Sequence, residues 1–229
     1  MIRKIFIFSL LCLTASIVHA GKAKFPGLPH NAYLDGGASK VGIILAHGRG
    51  HGPKWDVVNP LRRGVHKKLG YHTLSLQMPT RNGNWESYGP LFPDAYKRIH
   101  AAINYLRSEK NVEKIYLMGH SMGSRMVTAF LAKYPESGVS GYIGAGTRNY
   151  GGPPLNSFVN LRTVIIPVVD IYGDGGDGVD AFDAKTRSEF ARDRNNYKQV
   201  LIKGADHRFR GYERELVDAA VNWLKEQDG

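Results

Sequence analysis

The sequence predicts an α/β fold: a mostly parallel central sheet with helices on both faces. Three observations carry that prediction. Short apolar runs of strand length recur along the chain, as at 41–46 and 114–118. Between them lie longer segments with apolar residues at helical spacing, such as Ile99, Ala102, Ile103 and Leu106. Strands that alternate with helices pair in parallel, because each crossover returns the chain to the same end of the sheet.

Taken in order, 41–46 reads as a buried strand that ends at His47-Gly48-Arg49-Gly50. A helix is expected over 59–68, a strand over 73–77 and a second helix over 95–107. The strand Lys114-Ile115-Tyr116-Leu117-Met118 leads through a turn into a helix over 124–134, closed by Pro135. Further strands are expected over 141–145, 164–172 and 199–202, and 212–225 reads as a closing amphipathic helix. The stretch 173–183, with four glycines and four aspartates, reads as a loop. No repeat, low-complexity tract or linker divides residues 21–229, so a single domain is expected there.

Residues 1–20 read as a secretory signal peptide. Arg3 and Lys4 give a basic start, an apolar core follows to Val18, and Val18-His19-Ala20 precedes Gly21 as a small-x-small cleavage site. The apolar core is short for a membrane span, and no later run reaches that length. Export to the periplasm or the medium of a bacterium is therefore expected, with no integral span after cleavage. The one cysteine, Cys12, leaves with the leader, so the mature chain must rely on its core rather than on disulfides.

The formal charge is +11, from 31 basic and 20 acidic residues. Loss of Arg3 and Lys4 leaves 29 against 20, or +9. The basic residues are scattered apart from small clusters at Arg62-Arg63/Lys67-Lys68 and Arg187/Arg192/Arg194. Aromatic residues do not interleave with them as a nucleic-acid reader requires, so no nucleic-acid partner is expected.

The most specific motif is Gly119-His120-Ser121-Met122-Gly123, set between a strand and a helix. Gly-x-Ser-x-Gly in that context is a sharp elbow that lifts the serine hydroxyl above the sheet, where a base can reach it. Ser121 is therefore the candidate nucleophile. The strand ending Asp170-Ile171-Tyr172-Gly173 and the loop Gly204-Ala205-Asp206-His207 accompany it. Together these features resemble the α/β-hydrolase superfamily across 38–226. Within it the chain is similar to the DUF3530 family, a group of small exported bacterial hydrolases.

The resemblance implies a serine hydrolase that works through an acyl-enzyme with no cofactor, without naming the acyl group; a small-molecule carboxylic ester is the leading expectation for its substrate. An amidase or peptidase would carry the same residues, and a non-catalytic binding protein on this scaffold is the third reading. In the superfamily the nucleophile is followed in the chain by the acid and then the histidine. His207 is the only one of nine histidines that follows Ser121, which makes it the base. The acid should follow the strand that ends at Gly173. Asp177 is assigned, with Asp174 as the rival and Asp180 and Asp183 also present. The oxyanion donors are expected to be the backbone N–H groups of Met122 and Arg49, with Gly50 as the alternative to Arg49.

His47 and His51 are expected to be structural or pocket-lining, since a zinc site would lack a third ligand. The aspartates of 174–183 do not follow the spacing of a calcium loop, so no metal is expected. About 20 residues separate Ala145 from Val164, too few for a helical cap, so minimal or no lid is expected. Trp55, Trp85, Tyr88 and Phe92 are candidates for lining an acyl pocket, or else for packing on its rim.

Overall fold

A computed structural model describes residues 30–228 of the chain, and the expected leader at 1–20 lies outside the described residues. Along the chain run β1 (Ala32–Leu34), β2 (Val41–Ala46), α1 (Val58–Leu69) and β3 (His72–Leu76). After a 3-10 segment at Glu86–Leu91 come α2 (Phe92–Lys110), β4 (Lys114–His120), α3 (Met122–Lys133) and β5 (Gly141–Ala145). The remainder is α4 (Ser157–Leu161), β6 (Val168–Gly173), α5 (Val179–Phe190), β7 (Tyr197–Ile202) and α6 (Glu213–Asp228).

The strands form one sheet in the order β1-β3-β2-β4-β5-β6-β7. Every pair is parallel except β1 with β3. Side chains alternate across the sheet with period two, so each strand feeds two cores. Ile44, Leu74 and Leu117 pack with Ile99 and Ile103 of α2 and Val127 and Phe130 of α3. Ile43, Leu45 and Met118 pack on the opposite face with Leu61 and Val65 of α1 and Leu216 and Ala220 of α6. Both faces are thus covered, as a parallel sheet requires. The α/β architecture expected from the alternation is the one observed.

Three segments differ from the sequence expectation, each for a physical reason. β1 is only three residues long, too short to show a pattern. The strand expected from 164 begins at Val168, because Pro167 has no N–H for a ladder. The carbonyls of Val164, Ile165 and Ile166 bond instead to the side chains of Arg194 and Asn196. Finally, 179–190 is a helix rather than part of a loop. Its buried positions are Asp180, Asp183, Ala184 and Arg187, a helical face that is mostly polar and so invisible to a hydrophobic period.

Because the sheet is parallel, β2, β4, β5, β6 and β7 all end on one edge. Register pairs Ala46 with Gly119 and His120 with Ala145. The turns after these strands therefore meet at one place, which is where an open α/β sheet puts its chemistry.

Candidate active site

Ser121 occupies the turn between β4 and α3 with φ 53° and ψ −114°, a backbone conformation that L-residues rarely adopt. The two glycines of the motif make the turn fit. A Cβ on Gly119 would lie 2.5 Å from Cα of Ser124, and one on Gly123 would lie 2.1 Å from the carbonyl oxygen of Ala46. The absent side chain at Gly119 lets α3 fold back on the end of β4, and that at Gly123 lets α3 begin against the end of β2.

His207 follows β7 in a loop anchored on both sides by fully buried Ala205 and Phe209. Asp206 holds the turn by accepting from the backbone N–H groups of Arg208 and Arg210 at 2.9 and 3.2 Å. Its Oδ2 also pairs with Arg210 at 2.8 Å. So fixed, the His207 ring lies with Nε2 2.9 Å from Ser121 Oγ. Its Nδ1 lies 2.9 Å from Asp180 Oδ2 and 3.1 Å from Oδ1. A carboxylate beside Nδ1 selects the tautomer protonated there, which leaves Nε2 free to accept from the serine hydroxyl. Ser121, His207 and Asp180 form one connected chain of side-chain contacts, in the order that a nucleophile, a base and an orienting acid would need.

Two neutral histidines brace this centre. His120 is fully buried, and burial pushes its pKa down to about 3. Its Nε2 donates to the carbonyl of His207 at 2.9 Å. Burial also pushes His47 down, to about 4. Its Nε2 accepts from the backbone N–H of Met78 at 3.0 Å, so its Nδ1 carries the proton and donates to the carbonyl of Gly48 at 2.8 Å. His47 thereby ties the turn after β2 to the end of β3, in the structural role expected of it.

Residues 43–195 match the family model for the α/β hydrolase fold. The chain belongs to the α/β-hydrolase family. No curated protein matches its sequence, whereas solved structures match its fold closely. A serine hydrolase homologue from Coxiella burnetii superposes with TM-score 0.67 at 18% identity, over 85% of this chain and 90% of the other. Est1E from Butyrivibrio proteoclasticus, with ferulic acid bound, gives 0.65 at 17% identity over 86% and 94%. A serine hydrolase without a lid from Xanthomonas campestris gives 0.67 at 15% over 87% and 91%.

In this α/β hydrolase the aspartate that meets His207 is Asp180, not Asp177. Asp177 is exposed, and its Oδ1 accepts from the N–H of Val179 at 3.1 Å, at the start of α5. Asp174 accepts from the N–H of Gly204 and so joins the turns after β6 and β7. Asp180 stands two residues into α5, where the helix dipole favours a carboxylate, and it is 4% exposed. The helical period Asp180, Asp183, Ala184, Arg187 was the signal that could have found it.

Met122 follows Ser121 directly, and Arg49 follows Gly48 in the turn after β2. A Cβ on Gly48 would lie 3.3 Å from Cβ of Ser121, which sets the turn after β2 beside the serine. The carbonyl of Gly48 is held by His47 and, at 3.3 Å, by the N–H of His51. The carbonyl of Ser121 accepts from the N–H and the hydroxyl of Ser124 at 3.1 and 2.6 Å. A trans peptide points its N–H opposite its carbonyl, so both bonds also fix the N–H groups of Arg49 and Met122. The Arg49 side chain turns away to the carbonyl of Gly83 at 2.8 Å.

Among the described residues, no cluster of His, Cys, Asp and Glu is arranged to hold a metal. No described helix is long and apolar enough to cross a membrane. The four candidate aromatics separate. Tyr88 and Phe92 are core residues at 0% and 1% exposure rather than pocket lining. Trp85 packs on that core and stacks on Arg125, whose guanidinium carbon is 4.8 Å from the ring centroid. Trp55 is exposed and stacks on His51 with centroids 4.9 Å apart. Arg187, grouped in sequence with a basic surface cluster, is buried and paired with Asp170 at 2.8 Å.

Proposed function

We propose that this α/β hydrolase cleaves carboxylic esters through an acyl-enzyme on Ser121, with His207 as base and Asp180 as the acid that orients it. The observation that carries the reading is the continuous contact chain of 2.9 Å from Ser121 Oγ to His207 Nε2 and 2.9 Å from His207 Nδ1 to Asp180. The serine proton passes to Nε2 as Oγ attacks the ester carbon. The imidazolium so formed is stabilised by the Asp180 carboxylate and then protonates the leaving alcohol. Water attacks the acyl-enzyme by the same route in reverse. The N–H groups of Arg49 and Met122 are the proposed donors to the oxyanion, since each belongs to a peptide group whose carbonyl, that of Gly48 or of Ser121, is held by a hydrogen bond.

An open site favours short or water-soluble esters as substrates. The segment between β5 and β6 carries only the five-residue α4, and the His207 side chain is 28% exposed. Esters are preferred over amides because related folds include Est1E with ferulic acid and an esterase from Pyrococcus furiosus. We further propose that residues 1–20 direct export, that 21–229 form one domain, and that the chain is one of the small exported bacterial hydrolases.

The test is labelling of the purified mature protein by a fluorophosphonate, beside Ser121→Ala. Ser121-dependent labelling, followed by turnover of short-chain p-nitrophenyl esters above the matching anilides, is the expected result. A protein left unlabelled would be a binding protein on a hydrolase scaffold. Faster turnover of anilides would make it an amidase.

A further inference from the structure

The turn after β5 is stapled to α5 on both sides of Arg148. Arg187 Nη1 donates to the carbonyl of Thr147 and to Oδ1 of Asn149, each at 2.8 Å. The N–H of Asn149 donates to Asp183 Oδ2 at 3.1 Å, and its Nδ2 donates to the carbonyl of Asp183 at 2.9 Å. Arg187 is itself locked by Asp170 through two bonds of 2.8 and 3.1 Å. Arg148 is therefore presented from a fixed backbone. Its Nε lies 3.1 Å from Asp180 Oδ1, with side chains 15% and 4% exposed.

We propose that Arg148 is a positioning residue that shares the Asp180 carboxylate with His207 and thereby sets the pH range in which His207 is a free base. A carboxylate with one imidazole becomes a neutral pair when the ring is protonated. With Arg148 attached, the three groups are already neutral, and protonating the ring leaves a net positive cluster in a largely desolvated corner. Opposite charge nearby favours the protonated ring, and a second cation on the same carboxylate opposes it. Arg148 thus holds the base ready at lower pH while restricting the carboxylate to one orientation.

The other charged groups around the site do not replace it. Asp183 lies one turn along α5, and its own pKa is raised by burial. His120 from β4 is neutral, and His51 from the turn after β2 is lowered first by burial and then by Arg208. Arg208 faces Asp56 at 3.8 Å, and Asp206 pairs with Arg210 at 2.8 Å. Among the described residues, only His207 and Arg148 form an ion pair with Asp180.

The inference rests on the serine-hydrolase reading for its kinetic arm only. Arg148→Met and Arg148→Lys are compared with the parent by the pH dependence of kcat/KM on p-nitrophenyl acetate. The His207 imidazole is also titrated by NMR, which needs no substrate. Arg148→Met should move the acid limb and the NMR midpoint upward by about 1 pH unit, and Arg148→Lys should restore most of that shift. Both variants keep the staples of Arg187 and Asp183, so the fold should persist, and melting curves check it. If Arg148→Met fails to fold, Arg148→Lys against Arg148→Gln gives the same comparison. An NMR midpoint unmoved by loss of the charge overturns the proposal, even if the plateau rate falls. A moved midpoint without Ser121-dependent turnover keeps the proposal and removes the ester reading instead.

Discussion

His120 Nε2 donates to the main-chain carbonyl of His207 at 2.9 Å, so the residue that precedes the serine in sequence holds the backbone of the histidine that faces it. The two ring centroids are 5.0 Å apart. A His120→Ala variant loses the bond, opens space under the loop and leaves a carbonyl without its partner. It should cost about 2 kcal/mol of stability, and it should slow fluorophosphonate labelling of Ser121 about tenfold as His207 loosens. Unchanged melting and labelling would mean that Ala205, Asp206 and Phe209 hold the loop without His120.

The identity of the acid is open to a direct contrast. Asp180→Asn should lower turnover by about 10⁴-fold, since the ring loses the carboxylate that selects its tautomer. Asp177→Asn should change turnover by no more than a few-fold, because the exposed Asp177 carboxylate bonds the N–H of Val179 rather than His207. Steady-state rates on one ester, with folding checked by circular dichroism, decide between them. A severe Asp177 effect beside a mild Asp180 effect would reverse the assignment.

The elbow glycines make a stability prediction independent of activity. Gly123→Ala places a methyl group 2.1 Å from a backbone oxygen that belongs to β2, and neither partner is the mobile end of a side chain. The strain should cost about 3 kcal/mol or more, read as a lower denaturant midpoint. A wild-type midpoint in this variant would contradict the close approach of α3 to β2.

Stability should also fall with acid in a way traceable to buried histidines. Burial holds His47 down to about 4 and His120 down to about 3, against an ordinary value of 6.5 in the unfolded chain. Below 6.5 the unfolded state therefore binds more protons than the folded state. Stability declines as pH drops from 6.5 toward 4, and the His47 share levels off once the folded state is protonated there too. That share is about 3 kcal/mol over the interval. His47→Gln, which keeps an oxygen for the N–H of Met78, should flatten the decline in denaturant titrations. An equally steep decline would assign the acid sensitivity to other groups.

What could be read from the chain alone follows the physics of local pattern. Apolar runs and helical spacing specified the alternating elements and hence the parallel sheet. The glycines flanking Ser121 specified the elbow, because their need is set by backbone sterics within a few residues. Chain order left one histidine, and it is the one found against Ser121. Which aspartate meets His207 depended on something local pattern does not carry. α5 buries a face of Asp180, Asp183 and Arg187, whose partners come from the turn after β5, from β6 and from the loop after β7. Such a face looks like a polar loop until tertiary contacts supply the opposite charges and donors. The sequence by itself determined the fold class, the elbow and the pairing of Ser121 with His207. Only the tertiary structure decided that Asp180 completes the chain of contacts and that Arg148 shares it, because an ion pair between distant segments leaves no periodic trace in either one.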